Sequence, residues 1–236
     1  MKIVVTGSAG FIGSELCKTL KRKGHQVIGL DIKEGNDILT CELPRADWVI
    51  HLAANAGVLP SIEDPKKYWM NNVEGTKRIL ASYPNSRVLV AGSSSQYEPH
   101  LNPYAASKHV IESIPHTNVC FMRFHTVYSN PARPGMFFDK LQRGVLEFVT
   151  DHERDFIHIT DVVEAIHLLL YSTHRGPIDI GTGKPVKVSS IAPHLPVKEG
   201  QPYERLRTCA NKKDIELLEA MGWRCKVTVN DFLNEV

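Results

Sequence analysis

The sequence predicts a doubly wound α/β fold, in which a parallel sheet carries helices on both faces and a small C-terminal lobe binds substrate. Three observations predict this fold. Short, uniformly apolar segments alternate with helical segments over the first 125 residues, a glycine-rich turn joins the first two elements, and an aspartate closes the second apolar segment. Uniformly apolar strands are typical of a parallel sheet buried on both faces, and their alternation with helices favours βαβ units.

The composition limits the partners that the 236-residue chain is expected to have. A formal net charge of +2 gives no reason to expect a nucleic acid or a membrane surface as a partner. The five cysteines are scattered without a C-x-x-C pair, which favours reduced thiols over a disulfide framework or a zinc site. The histidines lack a ligand spacing, so no metal is expected. The chain opens directly on an apolar strand and has no long apolar run, which predicts a cytoplasmic protein without a signal peptide.

The first strand, predicted over residues 2–5, turns into a helix over 11–23 through Gly7, Gly10 and Gly13. Such a turn directs backbone N–H groups and the positive end of the helix dipole at one point, which is a site for a phosphate. Each glycine has a separate reason: Gly7 turns the chain, Gly10 lets a pyrophosphate approach, and Gly13 lets helix and strand pack closely. The segment therefore predicts a dinucleotide site.

The second strand, predicted over 26–30, ends in Asp31, eighteen residues after Gly13. An acid at this place is suited to hold the hydroxyl pair of a ribose. The alternative is an ordinary βαβ unit with a surface aspartate. The carboxylate would repel a 2′-phosphate, which favours NAD over NADP, although Lys33 works slightly against that preference.

Further elements follow in the order that a doubly wound sheet requires. We expect strands over 48–51, 87–91 and 119–124, a helix from Asp64-Pro65 to about residue 82, and another from Asn102-Pro103. The link from Asp31 to residue 48 is too short for a crossover helix. Later elements are expected over 137–143 (helix), 155–159 (strand), 161–170 (helix), 177–181 (strand) and 212–221 (helix). The predicted domains are a dinucleotide-binding domain over 1–125, completed by about 155–182, and a substrate lobe over 126–154 and 183–236.

Tyr104 and Lys108 lie four residues apart after the helix start at Asn102-Pro103, which places both on one helical face. A neighbouring ammonium would favour the phenolate and lower the pKa of the tyrosine, which is otherwise too weak a base near neutral pH. This spacing is common by chance. The hydroxyl cluster that begins at Ser93 adds weight, because it follows the strand over 87–91 and should open onto the same crevice.

Taken together, the motifs resemble those of the extended short-chain dehydrogenase/reductases of the nucleotide-sugar epimerase type. The matching stretches occur in family order over nearly the whole chain, at 6–13, 49–58, 72–76, 93–97, 103–108, 123–128, 154–156 with Asp161, 181–183 and 221–223. The resemblance implies NAD as the cofactor and a nucleotide-diphosphate sugar as the substrate. Members of the family pack as dimers through helices that include the one carrying Tyr104. The resemblance therefore leaves a homodimer open, but here that helix is followed quickly by Pro115, which puts the same packing in doubt.

The resemblance also implies roles for individual residues. Ser93 matches the catalytic hydroxyl, Tyr104 the acid/base and Lys108 the ribose-binding lysine. The implied cofactor-binding set is Gly7, Gly10, Phe11, Ile12, Gly13, Asp31, Ile32, Asp37, Ile38, Leu52, Ala53, Ala54, Tyr104 and Lys108. The implied substrate-binding set is Ser94, Thr126, Arg133, Met136 and Arg154, of which Arg154 would hold the diphosphate.

The residues after Ser93 exclude part of the family's chemistry. Dehydratases of the family need an acid pair there and decarboxylases a glutamate, whereas this chain has Ser94 and Ser95. The resemblance therefore implies a 4-epimerase, and hydroxyls at Ser94 and Thr126 resemble those of UDP-glucuronate 4-epimerases. Two alternatives stay open: an NAD(P)H-dependent reductase of a keto-sugar nucleotide, and a non-catalytic NAD-binding relative. The chain is much shorter than a typical family member, which motivates the last one.

Overall fold

The computed structural model describes residues 1–234, and it confirms the predicted fold class. Its centre is a six-stranded sheet in the spatial order β10-β5-β4-β3-β1-β2, with every neighbouring pair parallel. The twelve strands of the described part are β1 (Lys2–Thr6), β2 (Gln26–Leu30), β3 (Trp48–His51), β4 (Arg87–Ser93), β5 (Val119–Phe124), β6 (Thr126–Tyr128), β7 (Val149–Thr150), β8 (Glu153–Arg154), β9 (Phe156–His158), β10 (Gly176–Ile180), β11 (Val186–Lys187) and β12 (Val197–Lys198).

Helices cover both faces of this sheet. They are α1 (Phe11–Arg22), α2 (Val58–Glu63), α3 (Pro65–Tyr68), α4 (Gly75–Ser82), α5 (Pro103–Ile111), α6 (Phe137–Gln142), α7 (Ile159–Tyr171), α8 (Val188–Ile191), α9 (Lys212–Ala220) and α10 (Val229–Asn234). A π-helical stretch, Trp69–Glu74, joins α3 to α4, and 3₁₀ turns occupy Ile32–Glu34 and Ser94–Tyr97. Within residues 1–234, none of the helices combines the length and apolar character that crossing a bilayer needs.

Alternate residues of each strand bury their side chains in two separate hydrophobic layers. One layer joins strand residues such as Ile3 and Leu89 to the apolar faces of α1 and α7. The other joins Val4, Val88 and their neighbours to α4 and α5. A strand buried on both faces must be apolar at nearly every position, which is the pattern that the sequence shows. A third cluster forms around Tyr128 and Phe138, away from the sheet.

Most predicted elements are confirmed to within one or two residues. Asp64 and Asn102 cap their helices through side-chain bonds to the backbone N–H groups of Lys67 and Ala105. Between β2 and β3 the described chain holds only a 3₁₀ turn and loop, as the short spacing predicts. The prediction for β4 was too short, because this strand continues to Ser93. The helix α2 was not predicted, since its six residues are too few to show a helical period.

Candidate functional site

A cleft of about 910 Å³ opens at the carboxyl ends of the strands. Ligands of doubly wound folds bind at this edge of the sheet. All residues that the sequence singled out for catalysis, cofactor or substrate line this cleft: Gly7, Gly10, Phe11, Ile12, Gly13, Asp31, Ile32, Asp37, Ile38, Leu52, Ala53, Ala54, Ser93, Ser94, Tyr104, Lys108, Thr126, Arg133, Met136 and Arg154. The fold thus brings together side chains from both halves of the chain.

Two glycines of the first turn have no room for a side chain. Gly7 has a φ of +69°, and a Cβ there would lie 2.7 Å from the backbone nitrogen of Ala53. A Cβ on Gly13 would overlap the carbonyl oxygen of Gly7 and lie 2.9 Å from its carbonyl carbon. The N-cap of α1 is Gly10, which offers no side chain to the amides of the first helical turn. These amides therefore face the cleft without a side-chain partner, as a phosphate site requires.

The buried carboxylate of Asp31 is tied to the glycine turn. One oxygen accepts a hydrogen bond from the backbone N–H of Ala9 and the other from that of Lys33, both at 2.9 Å. Each carboxylate oxygen has lone pairs for a second donor. Asp31 can therefore receive a pair of ribose hydroxyls while it holds the turn together.

The loop after β2 lines the cleft with residues that include Asp37 and Ile38. Arg78 of α4 pins this loop by donating to the carbonyl oxygens of Ile38 and Cys41 at 2.5 and 2.7 Å. Asp37 accepts a bond from the backbone N–H of Leu39 at 2.9 Å. The position of Asp37 and Ile38, which the resemblance assigns to the adenine, is thus set by a helix that follows β3 in the chain.

Ser93 ends β4, and Tyr104 and Lys108 lie on α5 beside it. Burial raises the pKa of Tyr104, while a hydrogen bond with Ser93 and the charge of Arg133 act in the opposite direction. The pKa of Tyr104 is therefore raised overall, whereas the sequence predicted that the charge of Lys108 would lower it. That prediction is wrong. The physical reason is that burial penalises the phenolate more than its neighbours favour it.

Lys108 donates from Nζ to the carbonyl oxygen of Ala91 at 2.7 Å. Its side chain is almost fully buried, and this burial lowers the pKa of Lys108 to about 8, against a smaller opposing effect of Glu112. The ammonium is therefore anchored on β4, one strand position before Gly92 and two before Ser93. This bond was not predicted, because a carbonyl acceptor leaves no trace in the sequence.

The predicted substrate residues line the same cleft. Arg154 is held by Glu204, with 3.2 Å between Nη2 and the carboxylate, and by the carbonyl oxygen of Arg205 at 2.8 Å. Burial lowers the pKa of Arg154, and Glu204 partly offsets this. Arg133 lies 6.0 Å from the ring centre of Phe11, and Met136 is half exposed at the rim.

Sequence reasoning missed Glu204 and Arg205, which also line the cleft. It likewise missed a charged network beneath the turn at 94–97. There Tyr97 donates its hydroxyl to buried Asp179 at 2.8 Å and accepts a bond from Arg123 at 2.9 Å. Tyr97 and Arg123 fall within the matching stretches 93–97 and 123–128, but no motif pairs them with each other or with Asp179. The two partners of Tyr97 lie 82 and 26 positions away, so only the folded chain shows the contacts.

The fold and cleft define a dinucleotide-binding protein of the extended short-chain dehydrogenase/reductase type. Comparison with known proteins specifies the family, since the model of the NAD dependent epimerase/dehydratase family matches residues 3–181. This match covers well over half of the chain. The chain therefore belongs to that family.

Individual relatives are similar over most of their length. Protein CapI of Staphylococcus aureus is 30% identical, over 82% of this chain and 76% of its own. The probable UDP-glucuronate 4-epimerase of Rhizobium meliloti is 28% identical, over 86% of this chain and 79% of its own. Among solved structures, MoeE5 in complex with UDP-glucuronic acid and NAD is 28% identical and superposes with a TM-score of 0.83, covering 99% of this chain and 97% of that one.

Proposed function

We propose that the protein is an NAD-dependent 4-epimerase of a UDP-sugar, with UDP-glucuronate as the sugar to test first. The observation that carries the proposal is the meeting of Ser93 and Tyr104 in the same cleft as the glycine turn and Asp31. In this family the arrangement serves a sugar that is oxidised and then reduced at one carbon.

The residues of the cleft fit NAD. A side chain does not fit at Gly7 or at Gly13, and the backbone amides at the start of α1 face the cleft beside them. Asp31 supplies acceptors for ribose hydroxyls and a charge that disfavours a 2′-phosphate. When bound, NAD supplies the acceptor and donor of the hydride at C4 of the sugar.

The chain's own residues handle the proton of the C4 hydroxyl. Tyr104 takes this proton during oxidation and returns it during reduction, and Ser93 bridges the sugar oxygen and the phenol. Arg133 and Ser93 both favour the phenolate, so they partly offset the cost of burial. The ammonium of Lys108 donates a hydrogen bond to the carbonyl oxygen of Ala91 within the same cleft. From there it is placed to bind the nicotinamide ribose.

The substrate side favours an anionic ligand. Arg154 offers a guanidinium that suits a diphosphate, and Ser94 and Thr126 offer hydroxyls for a sugar carboxylate. The similarity to a UDP-glucuronate 4-epimerase and to a complex with UDP-glucuronic acid supports this choice of sugar. We further propose that residues 1–125 with 155–182 bind NAD, while 126–154 and 183–236 hold the sugar nucleotide. The separate cluster around Tyr128 and Phe138 supports this division for residues 126–154, whereas Leu218 and Trp223 pack into the core of the sheet.

The test is to incubate the protein with UDP-glucuronate and other UDP-sugars and to measure C4 epimers by chromatography, with NADH followed by absorbance. Interconversion without net NADH is expected. Tyr104→Phe should lower kcat by ~10²-fold or more, because acid–base catalysis is worth ~10²–10⁴. Tyr83→Phe is the matched control, since its hydroxyl bonds to Pro44 outside the cleft.

Other outcomes would contradict the proposal. Stoichiometric consumption of NADH or NADPH would identify a reductase of a keto-sugar nucleotide. Calorimetric titration that shows NAD binding but no binding of any UDP-sugar would identify a non-catalytic relative. A loss below about tenfold in Tyr104→Phe would remove the acid/base role of Tyr104.

A further inference from the structure

Residues 203–206 contact three separate parts of the cleft. The carbonyl oxygen of Tyr203 accepts a bond at 2.9 Å from the side chain of Asn102, which also caps the helix of Tyr104 and Lys108. The carbonyl oxygen of Arg205 accepts a bond from Arg154 at 2.8 Å. This one segment therefore joins the start of α5 to the residue proposed to hold the diphosphate.

The side chain of Arg205 reaches a third part, the turn at 93–97, which we call the catalytic turn. Its Nη1 donates to the carbonyl oxygen of Ser94 at 3.0 Å, and its Nε lies 3.3 Å from Oε1 of Glu98. Its guanidinium carbon lies 5.3 Å from the ring centre of Tyr97. Arg205 is thus hydrogen-bonded to the backbone of Ser94, and its guanidinium lies over the ring of Tyr97.

Other anchors of the catalytic turn come from α5, where Nδ1 of His109 lies 3.2 Å from the carbonyl oxygen of Gln96, and from the sheet. Tyr97 is bonded to Asp179 on β10 and to Arg123 on β5, whose guanidinium lies 4.9 Å from the tyrosine ring. The ring of Tyr97 therefore contacts two guanidinium groups, one from the sheet and one from the segment 203–206. Arg205 supplies the contact that ties the catalytic turn to the substrate side.

We propose that Arg205 is a positioning residue, which sets the catalytic turn relative to Arg154 so that Ser93 meets the sugar when a diphosphate is bound. This inference rests on the proposed function. Arg154 contacts the backbone of Arg205, and Arg205 contacts the backbone next to Ser93, so a shift at one end is carried to the other through two hydrogen bonds. Misplacement of a reacting group by ~1 Å can cost ~10²-fold in rate.

The experiment compares the wild type with Arg205→Ala and Arg205→Lys in the NAD-loaded protein. We expect Arg205→Ala to lower kcat by about tenfold or more, with KM for the UDP-sugar within about twofold of wild type. Arg205→Lys should recover part of the loss, because a lysine still reaches one carbonyl oxygen but lacks the planar group that stacks on Tyr97. Arg207→Ala is the matched control, since Arg207 belongs to the same stretch but pairs with Glu153 at 2.9 Å and is well exposed.

A second readout does not depend on turnover. UDP is added as the probe, and hydrogen exchange is followed at the amides of residues 93–98. We expect UDP to slow this exchange in the wild type and in Arg207→Ala, and to leave it unchanged in Arg205→Ala. If UDP slows exchange equally in all three proteins, or if Arg205→Ala raises KM with kcat unchanged, the positioning role is wrong.

The two proposals fail in different ways. If the wild type converts no UDP-sugar, the proposed function fails, whereas the exchange measurement with UDP still tests Arg205. If the wild type is active and Arg205→Ala retains its kcat within about twofold, only the positioning role fails. Thermal unfolding of each variant separates these results from a loss of folded protein.

Discussion

Replacing Gly13 by alanine tests whether the glycine turn is built around a close backbone contact. Gly13 lies inside α1, where alanine is intrinsically favoured over glycine by ~1 kcal/mol. Helix propensity alone therefore predicts a more stable protein. The structure predicts the opposite, because the added Cβ would overlap the carbonyl oxygen of Gly7 and lie 2.9 Å from its carbonyl carbon.

The neighbouring atoms at this position are backbone, so no side-chain rotation relieves the overlap. The turn must move away from α1, and overpacking of this kind costs ~1–3 kcal/mol. After the gain from propensity is subtracted, the free energy of unfolding should fall by up to about 2 kcal/mol. Because we propose that the same turn holds the phosphates of NAD, the Kd for NAD should rise by about tenfold or more, as each tenfold change corresponds to ~1.4 kcal/mol.

The assay combines denaturant unfolding with calorimetric titration of NAD. Gly24→Ala is the control, since Gly24 follows the same helix with a φ of +81° and nothing within 4 Å of its added Cβ. That change should also cost ~1 kcal/mol through backbone strain, but it lies away from the cleft and should leave NAD binding unchanged. A Gly13→Ala protein that is as stable as wild type and binds NAD equally well would refute the reasoning.

Two further predictions concern buried charges. Asp155→Asn should lower the free energy of unfolding by about 3 kcal/mol. The carboxylate accepts four bonds from Thr182, Gly183 and Ala210, and an amide in either orientation would lose the charge and turn its NH₂ towards at least one of these N–H groups. Urea unfolding measures this, and a loss below about 1 kcal/mol would contradict it. Lys108→Met should abolish epimerisation yet raise the free energy of unfolding by about 1 kcal/mol near neutral pH. Burial lowers the pKa of Lys108 from 10.5 to about 8, which costs the folded state ~3 kcal/mol, and the hydrogen bond to Ala91 offsets only part of that cost. The cost is full below pH 8 and disappears as the pH rises to 10.5, so the advantage should shrink over that range; equal pH dependence in both proteins would argue against it.

The sheet could be predicted from the sequence because the features that specify each strand and helix lie within a single short segment of the chain. Buried parallel strands are apolar at every position, and helix starts such as Asn102-Pro103 carry their own caps. The glycine turn could be predicted for the same reason, since Gly7 and Gly13 act through backbone geometry that a short motif specifies; its binding of NAD, together with Asp31, stays a prediction. The family and its NAD dependence followed from these motifs and are confirmed by the comparisons. The 4-epimerase activity is our proposal, which the similarity to a probable UDP-glucuronate 4-epimerase supports.

What could not be predicted depends on contacts between distant parts of the chain. Arg205 meets Ser94 across 111 positions, and Tyr203 meets Asn102 across 101. The direction of the pKa shift of Tyr104 was wrong for a related reason, since the spacing to Lys108 gives a charge but not the depth of burial. Roles assigned to individual residues of the cleft remain predictions until the variants are measured.

The carboxylate of Asp31 has a consequence for any attempt to retune this protein towards a phosphorylated cofactor. In dinucleotide-binding folds of this kind, the residue at the end of the second strand helps to select between NAD and NADP. Here both oxygens of that residue already serve the peptide groups of Ala9 and Lys33. A neutral or basic replacement would leave these two amides without their acceptors and loosen the glycine turn, which we propose holds the phosphates of NAD. The residue that selects the cofactor therefore also holds the glycine turn in shape, so a redesign must change the turn as well as Asp31.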